Sequence, residues 1–176
     1  DNPSDRGGID VGAADTDGDG VAEIFVTPEF GGAGEIKIFN RLGQLQGLIH
    51  PFGRQESVIH IAFGNMDDDP EQEILSLWED NPHPALRILD GNGRYVREFP
   101  VSETFARASI ASGDVDGDGL DEVILATPKG RSVSVEVYSS VGVHEDFFTP
   151  YAPTFQGGLD VCVGDIDQNN RAEIYF

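Results

Sequence analysis

The apolar residues of this 176-residue chain come in short runs of period two, with no stretch at helical spacing. Four of these runs read GIDVGAAD, VIHIAFGN, ASIASGDV and LDVCVGDI. One set of alternate positions is mostly apolar: Ile9, Val11 and Ala13; Ile59, Ile61 and Phe63; Ala108, Ile110 and Ser112; Leu159, Val161 and Val163. The set between them is small, with Gly12, Ala62, Ala111 and Cys162 at one level and Ala14, Gly64, Gly113 and Gly164 at the next. An apolar face backed by a small one predicts a strand packed closely on both sides. β-Branched runs follow (EIFVT, EILSLW, EVILAT, EIYF), then a third set (GEIKIF, ALRILD, SVEVYS) that leads to a turn at Gly43, Gly93 or Gly142. A weaker fourth segment carries Ile49, Phe99 or Phe148.

Four short strands in every fifty or so residues predict an all-β chain built as β-propeller blades of four antiparallel strands, the Ala/Gly-rich strand innermost. A parallel β-helix fits less well, because its coils are shorter and lack hairpin turns. The expected repeats within a single domain, 1–176, run at about 7–56, 57–105, 106–155 and 156–176, the last one truncated. That makes about three and a half blades, either a fragment of a larger propeller or a half that a second copy completes.

Between the first and second strands of each unit stands an acidic nonapeptide: DTDGDGVAE at 15–23, NMDDDPEQE at 65–73, DVDGDGLDE at 114–122 and DIDQNNRAE at 165–173. Successive copies start 50, 49 and 51 residues apart. The net charge of −21 comes from 32 acidic and 11 basic side chains, and 17 of the acids lie in these four loops, so the rest of the chain is close to balance. Charge gathered at regular points suggests cation sites, since clustered carboxylates repel until something neutralises them. The same charge argues against nucleic acid as a partner, which needs a basic footprint. No run of 18 apolar residues exists, so no membrane span is expected. The only cysteine, Cys162, excludes an internal disulfide and is expected to be a small buried hydrophobe.

Alternate positions 1, 3, 5, 7 and 9 of such a loop can converge on one ion, position 7 through its backbone carbonyl. The candidate ligands are Asp15, Asp17, Asp19, Val21 and Glu23; Asn65, Asp67, Asp69, Glu71 and Glu73; Asp114, Asp116, Asp118, Leu120 and Glu122; and Asp165, Asp167, Asn169, Arg171 and Glu173. Oxygen donors on a flexible loop suit Ca2+ better than Mg2+. An EF-hand shares the DxDxDG opening, but its loop has twelve residues and lies between helices. The copies are unequal: position 6 favours positive φ and is Gly20, Pro70, Gly119 or Asn170, and proline cannot adopt that backbone. The second loop is therefore expected to bind weakly or to hold a different turn, and the fourth to be weaker than the first and third. The calcium is expected to be structural.

The order of apolar and small residues, then Asp-x-Asp-x-Asp-Gly-x-x-Glu, then Val26-Thr27-Pro28 or Ala126-Thr127-Pro128, then Gly-Glu-Ile-Lys-Ile-Phe at 34–39, resembles the FG-GAP/VCBS repeat. That resemblance implies a calcium-bearing β-propeller of the kind found in the integrin α-subunit head, in several lectins and in large bacterial surface proteins. It also implies an extracellular or cell-surface setting, with a protein or glycan ligand at the face opposite the calcium loops. On that face the candidates are Trp78, Asp80, Asn81, His83, Lys129 and Arg131. Asp10, His60, Ser109 and Asp160 occupy equivalent inner-strand positions and are expected to line a polar channel. No nucleophile-and-base arrangement, phosphate loop or zinc-protease signature is present, so no enzyme activity is expected. Three functions stay open: an adhesion or binding module, a carbohydrate-binding lectin, and the non-catalytic propeller scaffold of a polysaccharide-degrading enzyme.

Overall fold

A computed structural model describes residues 8–29, 32–54, 57–78 and 83–176. The candidates Asp80 and Asn81 lie outside the described residues. The described residues are all-β apart from one helical turn, Glu103–Phe105. Three antiparallel sheets of four strands follow one another, each in simple sequential order. The first holds β1 (Ile9–Ala14), β2 (Glu23–Pro28), β3 (Ile36–Phe39) and β4 (Leu45–Ile49); the second β5 (Ile59–Gly64), β6 (Glu73–Trp78), β7 (Ala85–Leu89) and β8 (Tyr95–Pro100). The third comprises β9 (Ser109–Gly113), β10 (Glu122–Ala126), β11 (Val135–Tyr138) and β12 (His144–Phe148). A two-stranded sheet, β13 (Cys162–Gly164) with β14 (Glu173–Tyr175), comes last. The sheets do not close on themselves.

The hairpins between third and fourth strands share one construction. Gly43, Gly93 and Gly142 have φ of 72°, 78° and 83°, and each donates its N–H to the carbonyl three residues earlier, at Asn40, Asp90 and Ser139. Each of these hairpins then shifts register, at Ile38/Phe39, Ile88/Leu89 and Val137/Tyr138. A turn closed by a positive-φ glycine with a bulge after it adds right-handed twist, and glycine takes that backbone without steric cost.

The first strands of the sheets stand side by side, β1 next to β5, β5 next to β9 and β9 next to β13. Three apolar clusters fill the spaces between consecutive sheets. Phe25, Ile36, Ile38 and Ile49 meet Ile59, Ile61, Ile74 and Leu89. Leu75, Leu77, Leu86 and Ile88 meet Ala108, Val123, Leu125 and Tyr138. Ile124, Val135 and Val137 meet Leu159, Val161, Val163 and Ile174. Each fully buried side chain of this size contributes roughly 1.5–3 kcal/mol.

The alternation of apolar and small positions now has a structural meaning. The apolar set of each first strand faces the preceding sheet, and the small set receives the next. A Cβ on Gly12 would strike the ring of Phe63, and one on Gly113 would strike Val163. At Gly64 it would lie 2.6 Å from the Ser112 hydroxyl, which donates to the Phe63 carbonyl at 2.6 Å. In β1, where no described sheet precedes, Ile9 and Val11 are 62% and 60% exposed. The mirror case corrects the expectation for Cys162: it is exposed. Its level is the one covered at Gly12 by Phe63 of the following sheet, and no described sheet follows β13.

Candidate metal centres and the opposite cavity

All four acidic loops join the first and second strands of a sheet, at the same end of the molecule, with strands rather than helices on either side. They share a hydrogen-bond scheme that follows from placing a carboxylate or amide oxygen at every second residue. Position 3 accepts from the N–H of position 5 in every loop, through Asp17 at 3.2 Å, Asp67 at 3.0 Å, Asp116 at 2.9 Å and Asp167 at 3.2 Å. Position 5 accepts from the N–H of position 7: Asp19 from Val21, Asp69 from Glu71, Asp118 from Leu120 and Asn169 from Arg171, at 2.7–3.1 Å. The glutamate at position 9 reaches back to the N–H of position 2: Glu23 to Thr16, Glu73 to Met66, Glu122 to Val115 and Glu173 to Ile166, at 2.8–3.3 Å. These short local bonds hold each loop as a cup of oxygens.

Position 1 separates the copies. Asp15 accepts from Gly18, Asp19 and Gly20; Asp114 from Gly117, Asp118 and Gly119; and Asp165 from Asn169 and Asn170. That wrapping needs positive φ at position 6, and Gly20, Gly119 and Asn170 have φ of 82°, 97° and 65°. In the second loop neither Asp68 nor Pro70 has positive φ, and the Asn65 amide instead faces the carbonyls of Asp67 and Asp69. The second loop holds a different turn.

Carboxylate oxygens converge in all four, each group lying within 4.8 Å: Asp15, Asp17 and Asp19; Asp67, Asp69 and Glu73; Asp114, Asp116 and Glu122; Asp165, Asp167 and Glu173. Glu73 and Glu122 are buried, at 3% and 2% exposure. Burial, together with the charges of Asp67 and Asp69, raises the Glu73 carboxyl. Burial pushes the Glu122 carboxyl up to about 7, with the Asp116 charge adding to the shift. Hard, anionic oxygens crowded at this spacing fit a divalent cation of the calcium type, whose charge would reverse both causes.

The loops are also tied to one another. Position 8 of each later loop donates its N–H to the position 1 carbonyl of the loop before: Gln72 to Asp15 at 3.3 Å, Asp121 to Asn65 at 2.8 Å and Ala172 to Asp114 at 2.7 Å. The Asp121 carboxylate, raised by burial, accepts in addition from the Asn65 N–H at 3.1 Å. Position 7 side chains reach the same way, with Glu71 against Gly18 and Arg171 against Gly117. The alternating pattern alone carries no signal for these inter-loop contacts.

At the other end of the strands a cavity of about 660 Å³ opens among the starts of the first strands. Asp10, His60, Ser109 and Asp160, expected to line a channel, all line it, together with Glu29, Arg107 and Lys129. Of the ligand candidates among the described residues, Lys129 is part of this lining. Trp78 instead packs on Phe52, ring centroids 5.5 Å apart, with its indole nitrogen enclosed. His83 and Arg131 are exposed outside the cavity. The sequence analysis gave no role to Arg107, whose only signal is its place immediately before Ala108.

Residues 114–176 match the family model of the FG-GAP-like repeat, so the third loop and everything after it carry the resemblance read from the residues. No curated protein matches the chain. Among solved structures, the chain is similar to the exotype rhamnogalacturonan lyase YesX, with a TM-score of 0.64 and 16% identity. The match covers 95% of this chain and 38% of the lyase chain. The biofilm matrix protein Bap1 of V. cholerae also matches, at a TM-score of 0.45 and 19% identity, over 87% of this chain and 30% of that one. Among the described residues, no helix is long and apolar enough to cross a membrane.

Proposed function

We propose that the chain is a calcium-stabilised β-propeller module of an extracellular or cell-surface protein, without catalytic activity of its own, that presents a binding face at the end of the strands opposite the metal loops. Its sheets are blades, and Ile9 and Val11 form the face that receives a further blade. The observation that carries the reading is the fourfold return of one oxygen cup at the same strand–strand junction, in a chain whose last 63 residues match the FG-GAP-like repeat. Asp15, Asp17 and Asp19, and in the other loops two aspartates with a buried or half-buried glutamate, would hold the ion. The ion would neutralise like charges that otherwise oppose folding.

A cation that binds only the folded state stabilises it by about 2.7 kcal/mol per site at a hundredfold excess over its Kd. The melting temperature should therefore rise by several degrees on going from excess chelator to millimolar calcium. Unchanged melting overturns the proposal. The lyase likeness supports a second reading, in which this module is the non-catalytic propeller scaffold of a longer polysaccharide-degrading protein.

A further inference from the structure

The register shift in each hairpin between third and fourth strands leaves one extra residue in the fourth strand. Gln46 stands between Leu45 and Gly47, which pair with Phe39 and Ile38. Val96 stands between Tyr95 and Arg97, which pair with Leu89 and Ile88. Glu145 stands between His144 and Asp146, which pair with Tyr138 and Val137. A bulge of this kind re-aims a side chain. Because the strands of each sheet run antiparallel in sequence order, these hairpins turn at the same end of the molecule as the acidic loops. The two features meet in the first sheet, where Gln46 lines a cleft of about 310 Å³ with Thr16, Asp17 and Glu23 of the first loop. They meet in the third as well: partial burial, then the charges of Asp116 and Asp118, raise the Glu145 carboxyl, and the Glu145 charge in turn adds to the rise at Glu122.

We infer that Glu145, from outside the loop, is a further ligand of the ion at the third metal centre, and that Gln46 takes the same place at the first. The inference rests on the reading of the loops as calcium centres and adds to each of these two an oxygen that the loop does not contain. Positions 1, 3, 5, 7 and 9 bring five residues to the ion, and calcium takes about 6–8 oxygens, so its shell has room for one more side chain. What stands at the bulge follows what the loop can do. The first and third loops wrap position 1 around the positive-φ glycines Gly20 and Gly119, and their bulges carry an oxygen side chain. The second loop, with Pro70 and the turned Asn65 amide, is matched with Val96, which has no side-chain oxygen to give. Without a cation, the Glu145 carboxylate would only add repulsion to a cup that already holds Asp114, Asp116 and Glu122.

The test is a calcium titration followed through the amide resonances of Gly20 and Gly119, whose N–H groups donate to Asp15 and Asp114 and so report the first and third centres separately. Glu145→Gln is expected to weaken calcium at the third centre about 10-fold, the scale on which one carboxylate bears on an exposed divalent ion, and to leave the first unchanged. Gln46→Glu is expected to tighten the first by a similar factor and to leave the third unchanged. Glu103→Gln, which removes one charge between β8 and β9 at the opposite end of the strands, is expected to move neither. A coordinated carboxylate keeps its effect when salt is raised from about 0.1 M to about 1 M, whereas a charge merely nearby is screened. Disappearance of the Glu145→Gln difference in high salt overturns the assignment, as does a third centre indifferent to Glu145→Gln or a first centre indifferent to Gln46→Glu. Those results leave both glycines responding to calcium. If neither responds, the calcium reading of the loops fails and this inference falls with it, so the two failures are distinguishable.

Discussion

The sharpest consequence of the loop geometry is that one substitution should act in opposite directions with and without calcium. Glu122 is 2% exposed, accepts from the Val115 N–H at 2.9 Å and converges with Asp114 and Asp116. Burial first, then the Asp116 charge, lifts its carboxyl from 4.5 to about 7. A carboxyl raised in the folded state favours the protonated fold. Its stabilising share is fully present below pH 4.5 and is lost as pH rises through about 7. Above that pH the ionised form costs the calcium-free fold about 3 kcal/mol, from a shift of roughly 2.5 units at 1.36 kcal/mol each. Glu122→Gln keeps an oxygen for the Val115 N–H and removes the charge.

In chelator at pH 8, Glu122→Gln should therefore melt higher than the parent by about 5–10 °C, taking 2–4 °C per kcal/mol for a domain of this size. Its stability should also fall less between pH 5 and 8, as pH rises from just above the ordinary carboxyl value of 4.5 through the folded value of about 7. In millimolar calcium the order reverses, because the parent gains a coordinating carboxylate that the variant lacks. Differential scanning calorimetry of both proteins across that pH range, with and without calcium, measures all four corners. Equal melting in chelator refutes the argument from burial. An undiminished calcium shift in the variant removes Glu122 from the ligand set.

Two further outcomes follow from packing and loop backbone. Gly91→Ala should destabilise by about 1–3 kcal/mol by urea unfolding, because its Cβ would run into the Thr16 carbonyl, and a backbone obstacle cannot swing aside as a side chain can. Asn65→Asp with Pro70→Gly restores to the second loop the anion and the positive-φ position that the first and third possess, and should tighten the weakest site in a calcium titration; an unchanged isotherm shows that the Asn65 turn does not limit binding.

How much of this was legible in the sequence depends on whether a feature is local. Loop positions 1, 3, 5 and 9 and the strand alternation depend on residues close in the chain, and the oxygen groups and the four-stranded order are read directly from them. The special status of the second loop was equally visible, since Pro70 carries its own restriction. Three things were not legible. Cys162 has the neighbours of a buried strand residue, but its exposure depends on whether another sheet covers it. Trp78 stands among the face candidates, and its packing on Phe52, distant in sequence, shows only in the fold. The position 8 N–H bonds join residues 56 to 58 apart through backbone atoms, so they leave no mark on composition.

Those inter-loop bonds bear on what a cation would hold together. In the first and third loops the residue at position 1 has two tasks: its side chain closes the cup on its own loop, and its carbonyl accepts from position 8 of the next. Restraining the Asp15 or Asp114 side chain with an ion restrains the same residue's backbone, and with it the anchor of the neighbouring loop. Apolar wedging, Phe63 over Gly12 and Val163 over Gly113, holds the spacing of the sheets. Calcium at the loops would then act on the contact between neighbouring sheets as well as on the single hairpin that holds it.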